Sequence, residues 1–107
     1  MSNKIKVQTT EGFNIFFEAR EEYSSLKELL PDDTEEQHEE TYRNNEIFIA
    51  KVTAERHGIE LASDYLGGCI YETEEDFYVK YKGDYFADMA NTVVKEANEM
   101  IENLQKP

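Results

Sequence analysis

Two histidines, one cysteine and twenty-four carboxylates are the side chains that could do chemistry in this 107-residue chain. His38 sits among four glutamates in EEQHEE. Carboxylates beside an imidazole can take a divalent ion, but the H-E-x-x-H spacing that sets two imidazoles on one helical face is missing. His38 therefore reads as an exposed residue of an acidic run, and no metal is expected. His57 falls in a predicted turn, where an exposed side chain is expected. Cys69 follows Gly67 and Gly68, so LGGC could present a thiol nucleophile, provided a positioned base made the thiolate. Neither histidine stands in a context that supplies one, and a buried structural cysteine is expected instead. Paired carboxylates do acid–base work only in a cleft that separates their pKa values, which a surface-like acidic run does not provide. Asp32-Asp33-Thr34-Glu35-Glu36 lacks the glycine and alternating ligands of an EF-hand loop. Gly67-Gly68 lacks the pattern of a nucleotide loop. These absences predict a protein that is not an enzyme and carries no cofactor.

What the carboxylates do supply is charge. Twenty-four acidic against eleven basic residues give −13 and a pI near 4.4. Such a field repels nucleic acid and anionic membranes and attracts basic surfaces. The charge is also uneven. Glu28, Asp32, Asp33, Glu35, Glu36, Glu39, Glu40 and Glu46 are opposed across residues 28–46 only by Arg43. Glu72, Glu74, Glu75 and Asp76 form a second acidic knot. The candidate partner-binding residues are Asp32, Asp33, Glu35, Glu36, Glu39 and Glu40, with Glu72, Glu74, Glu75 and Asp76 second. Helical carboxylates four residues apart lie about 5–6 Å from each other, comparable to neighbouring phosphates of a nucleic-acid backbone. Tyr42, Tyr71, Tyr78, Tyr81 and Tyr85 lie beside acidic residues, and tyrosine contributes contact area and a hydroxyl at low entropy cost.

The elements that must position these groups follow from periodicity. Residues 45–71 read as a β-hairpin about His57-Gly58, where Gly58 can take the positive φ of a two-residue loop. In that register Glu55 faces Glu60, Thr53 faces Ala62 and Lys51 faces Asp64. Phe48, Ala50, Val52 and Ala54 then share a buried face with Ile59 and Leu61. Residues 4–19 read as a second hairpin with a three-residue loop, Thr10-Glu11-Gly12, which puts Ile5 and Val7 in phase with Phe13, Ile15 and Phe17. A two-residue loop would set Gln8 against Ile15. Between residues 20 and 30, Tyr23, Leu26, Leu29 and Leu30 take helical spacing, and Pro31 ends the run. Thr34 with Gln37, or Asp33 with Glu36, can cap a short acidic helix to about Arg43. Leu66-Gly67-Gly68 is expected to bend the chain before a short strand at Cys69-Ile70-Tyr71. Thr73 can cap a short helix carrying Phe77, Tyr78 and Tyr81, ended by Gly83. From Asp84 a long helix carries one apolar stripe, Phe86, Ala90, Val93, Ala97, Met100 and Leu104.

These elements predict one α+β domain over residues 1–107: a mostly antiparallel sheet of about four strands, packed by the C-terminal helix, with short acidic helices. The stripe favours packing on the sheet and hence a monomer, with a homodimer through the C-terminal helix as the alternative. No apolar run approaches the roughly 20 residues that span a bilayer. The single cysteine forms no internal disulfide and the N-terminus carries no signal-peptide pattern, so a reducing, cytoplasmic compartment is expected.

The run GIELASDYLGGCIYETEEDFYVKYKGDYFADM, residues 58–89, resembles the small open reading frames carried on mobile elements. In size, acidity and α+β make-up the chain is similar to phage- and plasmid-encoded inhibitors of bacterial defence, the anti-CRISPR and antirestriction proteins. That resemblance carries no residue roles with it. It implies a stoichiometric inhibitor in the bacterial host cell. The partner would be a basic nucleic-acid-binding protein, a nuclease or CRISPR effector, whose DNA or RNA site is occupied by imitation without direct nucleic-acid binding. The alternative is an interaction module for a basic host protein unrelated to nucleic acid.

Overall fold

The computed structural model describes residues 3–79 and 84–105. Its centre is a four-stranded antiparallel sheet in chain order: β1 (Ile5–Thr10), β2 (Phe13–Glu21), β3 (Glu46–Arg56) and β4 (Ile59–Tyr71). Helices α1 (Leu26–Leu29) and α2 (Glu35–Asn44) join β2 to β3, a 3₁₀ turn (Glu75–Phe77) follows β4, and α3 (Asp84–Gln105) comes last. This is the α+β arrangement that the periodicities predict. Among the described residues no helix is long and apolar enough to cross a membrane.

Both hairpins turn on two residues with positive φ, Glu11-Gly12 and His57-Gly58. That backbone twist matches the right-handed twist of the flanking strands. The first turn corrects the three-residue loop expected at Thr10-Glu11-Gly12. Thr10 pairs with Phe13 and Gln8 does oppose Ile15, but a bulge at Val7 restores the phase, so that Ile5 meets Phe17. In the second hairpin Glu55 faces Glu60 as expected. A bulge at Leu61 then moves the register by one, so Thr53 faces Ser63 and Lys51 faces Tyr65, in place of Ala62 and Asp64. A bulge adds one residue to one strand without flipping the strand beyond it, which the alternation of apolar residues alone does not reveal. Ile59, beside the turn, is exposed, and Leu61 is partly buried against the core.

Gly67-Gly68 does not end a strand. Phe48 pairs with Cys69 and Ala50 with Leu66, so the two glycines lie opposite Ile49 as a third irregularity, and β4 continues through to Tyr71. Gly68 adopts φ +68°, and a Cβ there would lie 3.3 Å from Leu29 Cδ2. The Glu22 carboxylate accepts the Gly68 amide hydrogen, tying the chain after β2 to this bulge.

One face of the sheet is the core. Phe13, Ile15, Phe17 and Ala19 of β2 and Phe48, Ala50, Val52 and Ala54 of β3 are buried with Phe77 and with Phe86, Met89, Ala90, Val93, Val94 and Ala97 of α3. Phe77 is the hub of the aromatic part, with ring centroids 5.5 Å from Phe17, 5.5 Å from Tyr71, 6.2 Å from Phe48 and 6.5 Å from Phe86. The buried stripe of α3 leaves the expected one after Ala97. It continues through Ile101, a four-residue step that stays on the same face, while Met100 and Leu104 are exposed.

The opposite face pairs its charged side chains with one another and with rings. Lys4 bridges to the buried Glu55 and lies 4.7 Å from the centre of the Phe16 ring. Lys51 bridges to Glu60 at 3.3 Å and lies over Tyr65, and Ser63 donates to Glu60. The like-charged pair Glu55/Glu60 is thus neutralised from both sides. The molecule is long, 58 × 24 × 21 Å with a radius of gyration of 16.1 Å, against the roughly 13 Å typical of a compact chain this size.

Candidate acidic interaction surface

Antiparallel pairing sets the end of β2, the start of β3 and the end of β4 at one end of the long molecule. The β2–β3 connection and the 3₁₀ turn leave from that same end. Residues 20–46 and 72–79 together hold fourteen carboxylates against Arg20, Lys27 and Arg43, a net −11 of the chain's −13. The two acidic segments, far apart in sequence, therefore belong to one pole of the fold.

The first candidate group lies before and along α2. Asp32, Glu35, Glu36, Glu39 and Glu40 are exposed and Asp33 is partly buried. Asp33 and Glu40 meet at a hollow of about 300 Å³ that also includes Gln37 and Thr41. No residue of α2 is buried, so an apolar face does not hold this helix. Local bonds do. The Thr34 hydroxyl accepts the Gln37 amide at 3.2 Å, and the Gln37 side chain accepts the Thr34 amide at 2.7 Å. Of the two caps the sequence allows, this is the one formed. His38 Nε2 donates to the Leu30 carbonyl at 2.8 Å, and the Tyr42 hydroxyl accepts the Leu26 amide at 3.3 Å. His38 is thus a partly buried tether to the end of α1, in place of the exposed residue expected.

Helix α1 itself is shorter than the helical spacing of residues 20–30 predicts. Strand β2 runs on to Glu21, Tyr23 is exposed, and only Leu26–Leu29 is helical, capped by Ser25 and Glu28. Pairing of Arg20 with Ile49 and of Glu21 with Phe48 overrides the local helical pattern.

In the second group Glu72 and Glu75 are exposed, while Glu74 and Asp76 are partly buried. The Thr73 hydroxyl accepts the Asp76 amide at 3.3 Å, but the residue at the cap of the turn is Glu74, which makes no side-chain cap bond, and the turn is three residues long in place of the short helix expected. Of the aromatic residues assigned to this helix, Phe77 is buried, Tyr78 follows the turn, and Tyr81 and Gly83 lie outside the described residues. Glu74 meets Glu21, Glu22, Glu46 and Arg20 around a hollow of about 480 Å³ floored by Ile47 and Phe48. Glu21 and Glu22 were not among the candidate residues. They sit at the end of an alternating strand pattern, and only the register against β3 brings them to Glu46 and Glu74.

The tyrosines divide. Tyr42 and Tyr85 are exposed, whereas Tyr71 and Tyr78 pack into the aromatic core, and burial raises the pKa of both phenols. Cys69 is buried and donates to the Leu66 carbonyl at 3.3 Å. Burial pushes its thiol above the ordinary value, which disfavours the thiolate a nucleophile needs. His57 is in the hairpin turn at the far end of the sheet. Among the described residues no three His, Cys, Asp or Glu side chains converge as a metal site. No protein-family model, curated protein or solved structure matches the chain.

Proposed function

We propose that this protein is a non-enzymatic acidic inhibitor. Its acidic pole imitates nucleic acid and blocks the DNA- or RNA-binding site of a bacterial defence nuclease, such as a CRISPR-Cas effector, in the cytoplasm of the host cell. The observation that carries this reading is the gathering of a net −11 at one end of a 58 Å molecule. A charge so concentrated steers a basic channel into contact and orients it, with an on-rate that falls as salt screens the field. The exposed carboxylates of α2 stand on a capped, tethered helix, so less ordering is required when the partner docks.

The test uses the full chain as bait in bacterial lysate, at low and high salt, with and without competing DNA. A captured nuclease or other nucleic-acid-binding protein, released by both salt and DNA, is the expected result. A partner that stays bound when DNA is added would overturn mimicry and favour an interaction module for a basic protein unrelated to nucleic acid. Reversing Asp32, Asp33, Glu35, Glu36, Glu39 and Glu40 to lysine should weaken capture at least about tenfold, with the sheet's circular dichroism unchanged.

A further inference from the structure

A second hollow, about 360 Å³, adjoins the acidic one on the open face of the sheet. Tyr23, Tyr65 and Ile49 line it with Arg20 and Glu21, and these last two also line the acidic hollow. Tyr23 is 84% exposed and Tyr65 57% exposed. Large apolar side chains this open are not explained by the fold, since the aromatic core closes on Phe77 without them.

We propose that this aromatic hollow receives arginine side chains of an extended basic segment of the partner. The inference rests on the acidic pole having a basic partner. A planar guanidinium can lie on a tyrosine face and bond a carboxylate in its own plane, a pairing that the compact lysine ammonium does not match. Tyr23 and Tyr65 provide faces, Glu21 stands at the hollow, and Glu22, Glu46 and Glu74 continue the negative potential beyond it. The cation already present, Arg20, is drawn to the Glu18 carboxylate at 3.4 Å. The same face already pairs cations with rings: Lys51 lies 5.7 Å from the Tyr65 centroid and Lys4 lies over Phe16. A second copy of this chain is a poor occupant, because two poles of net −11 repel.

The test is fluorescence anisotropy of the full chain with labelled oligo-arginine and oligo-lysine peptides of equal length. The arginine peptide should bind tighter, by about two- to fivefold for each ring engaged. Tyr23→Ala and Tyr65→Ala should each lower that ratio, and the double variant should abolish it. Tyr23→Phe and Tyr65→Phe, which keep the rings, should retain it. Both positions are exposed, and circular dichroism checks that the variants fold. Replacing the six carboxylates from Asp32 to Glu40 should weaken both peptides together and leave the ratio unchanged. Equal, salt-sensitive binding of the two peptides would overturn the hollow's role while leaving a basic partner standing. So would a preference that survives the double alanine variant. Binding of neither peptide would overturn the basic partner and the hollow together.

Discussion

The two ends of the sheet are built on opposite plans. At the turn end, two tight turns lie side by side and one cation joins them. Arg56 donates from Nη2 to the Glu11 carbonyl at 3.0 Å and from Nε to the Gly12 carbonyl at 3.4 Å, with its guanidinium 3.9 Å from the centre of the Phe13 ring. Here charge serves the fold. At the acidic end, a ten-residue helix has no buried side chain and carries two like-charged pairs, Glu35/Glu39 and Glu36/Glu40. Each such pair costs an isolated helix about 0.2–0.5 kcal/mol. Here the fold holds charge that destabilises it, through caps and tethers. Retaining repulsive carboxylates at one pole, while pairing those on the open face, fits a surface kept for a partner.

Variants can break this contrast, and the largest effect should come from the buried platform under the acidic end. Phe77→Ala should cost about 3–5 kcal/mol, because Phe77 is fully buried between the sheet and α3. Denaturant melts read the loss, and partner capture should fall with it. Arg56→Ala should cost about 1–3 kcal/mol through two hydrogen bonds and a cation–π contact. Its effect belongs to the turn end, so stability should drop while partner capture at fixed temperature stays unchanged. Thr34→Ala should act at the acidic end, on a smaller scale. Loss of this cap costs about 1 kcal/mol, confined to α2. Faster amide exchange at Gln37 and His38, with sheet amides unaffected, would show it.

The smallest effect concerns pH. The Ser63 hydroxyl, and then the Lys51 ammonium, hold the Glu60 carboxyl below its ordinary pKa of 4.5. A depressed carboxyl stabilises the fold above its unfolded pKa, and that contribution is lost as pH falls through the folded value. An NMR titration should place the Glu60 midpoint below 4.5, and Ser63→Ala should move it upward. Because Glu60 is exposed, the gain in stability is small.

Much of the fold was legible because sheet and helix periods are local properties. The alternation from Phe48 to Ala54 and from Phe13 to Ala19 predicts the two buried strands, and His57-Gly58 predicts the turn between β3 and β4. The threonine cap and glutamine partner of α2 are written within four residues. The bulges at Val7, Leu61 and Gly67-Gly68 were not legible. Each is an adjustment between two strands, and one strand's pattern carries no sign of the other's register. The early helix over residues 20–30 failed for a related reason. Helical spacing of Tyr23, Leu26 and Leu30 is a weak local preference, and pairing with β3 outweighs it through Glu21.

The candidate surface divides in the same way. Composition and order along the chain alone determine the excess of carboxylates and their grouping at residues 28–46 and 72–76. Charge is a property of each side chain and needs no fold. That the two groups share one pole was decided by the antiparallel pairing of β2, β3 and β4. The joining of Glu74 to Glu21, Glu22 and Glu46 around one hollow was decided there too. Tertiary packing also chose which tyrosines stay outside, because Tyr71 packs on Phe77 and Tyr78 on Phe17 and Phe86, while Tyr23 and Tyr65 beside Ile49 remain exposed. A surface is a matter of who lies beside whom, and that is set by contacts between residues distant in the chain.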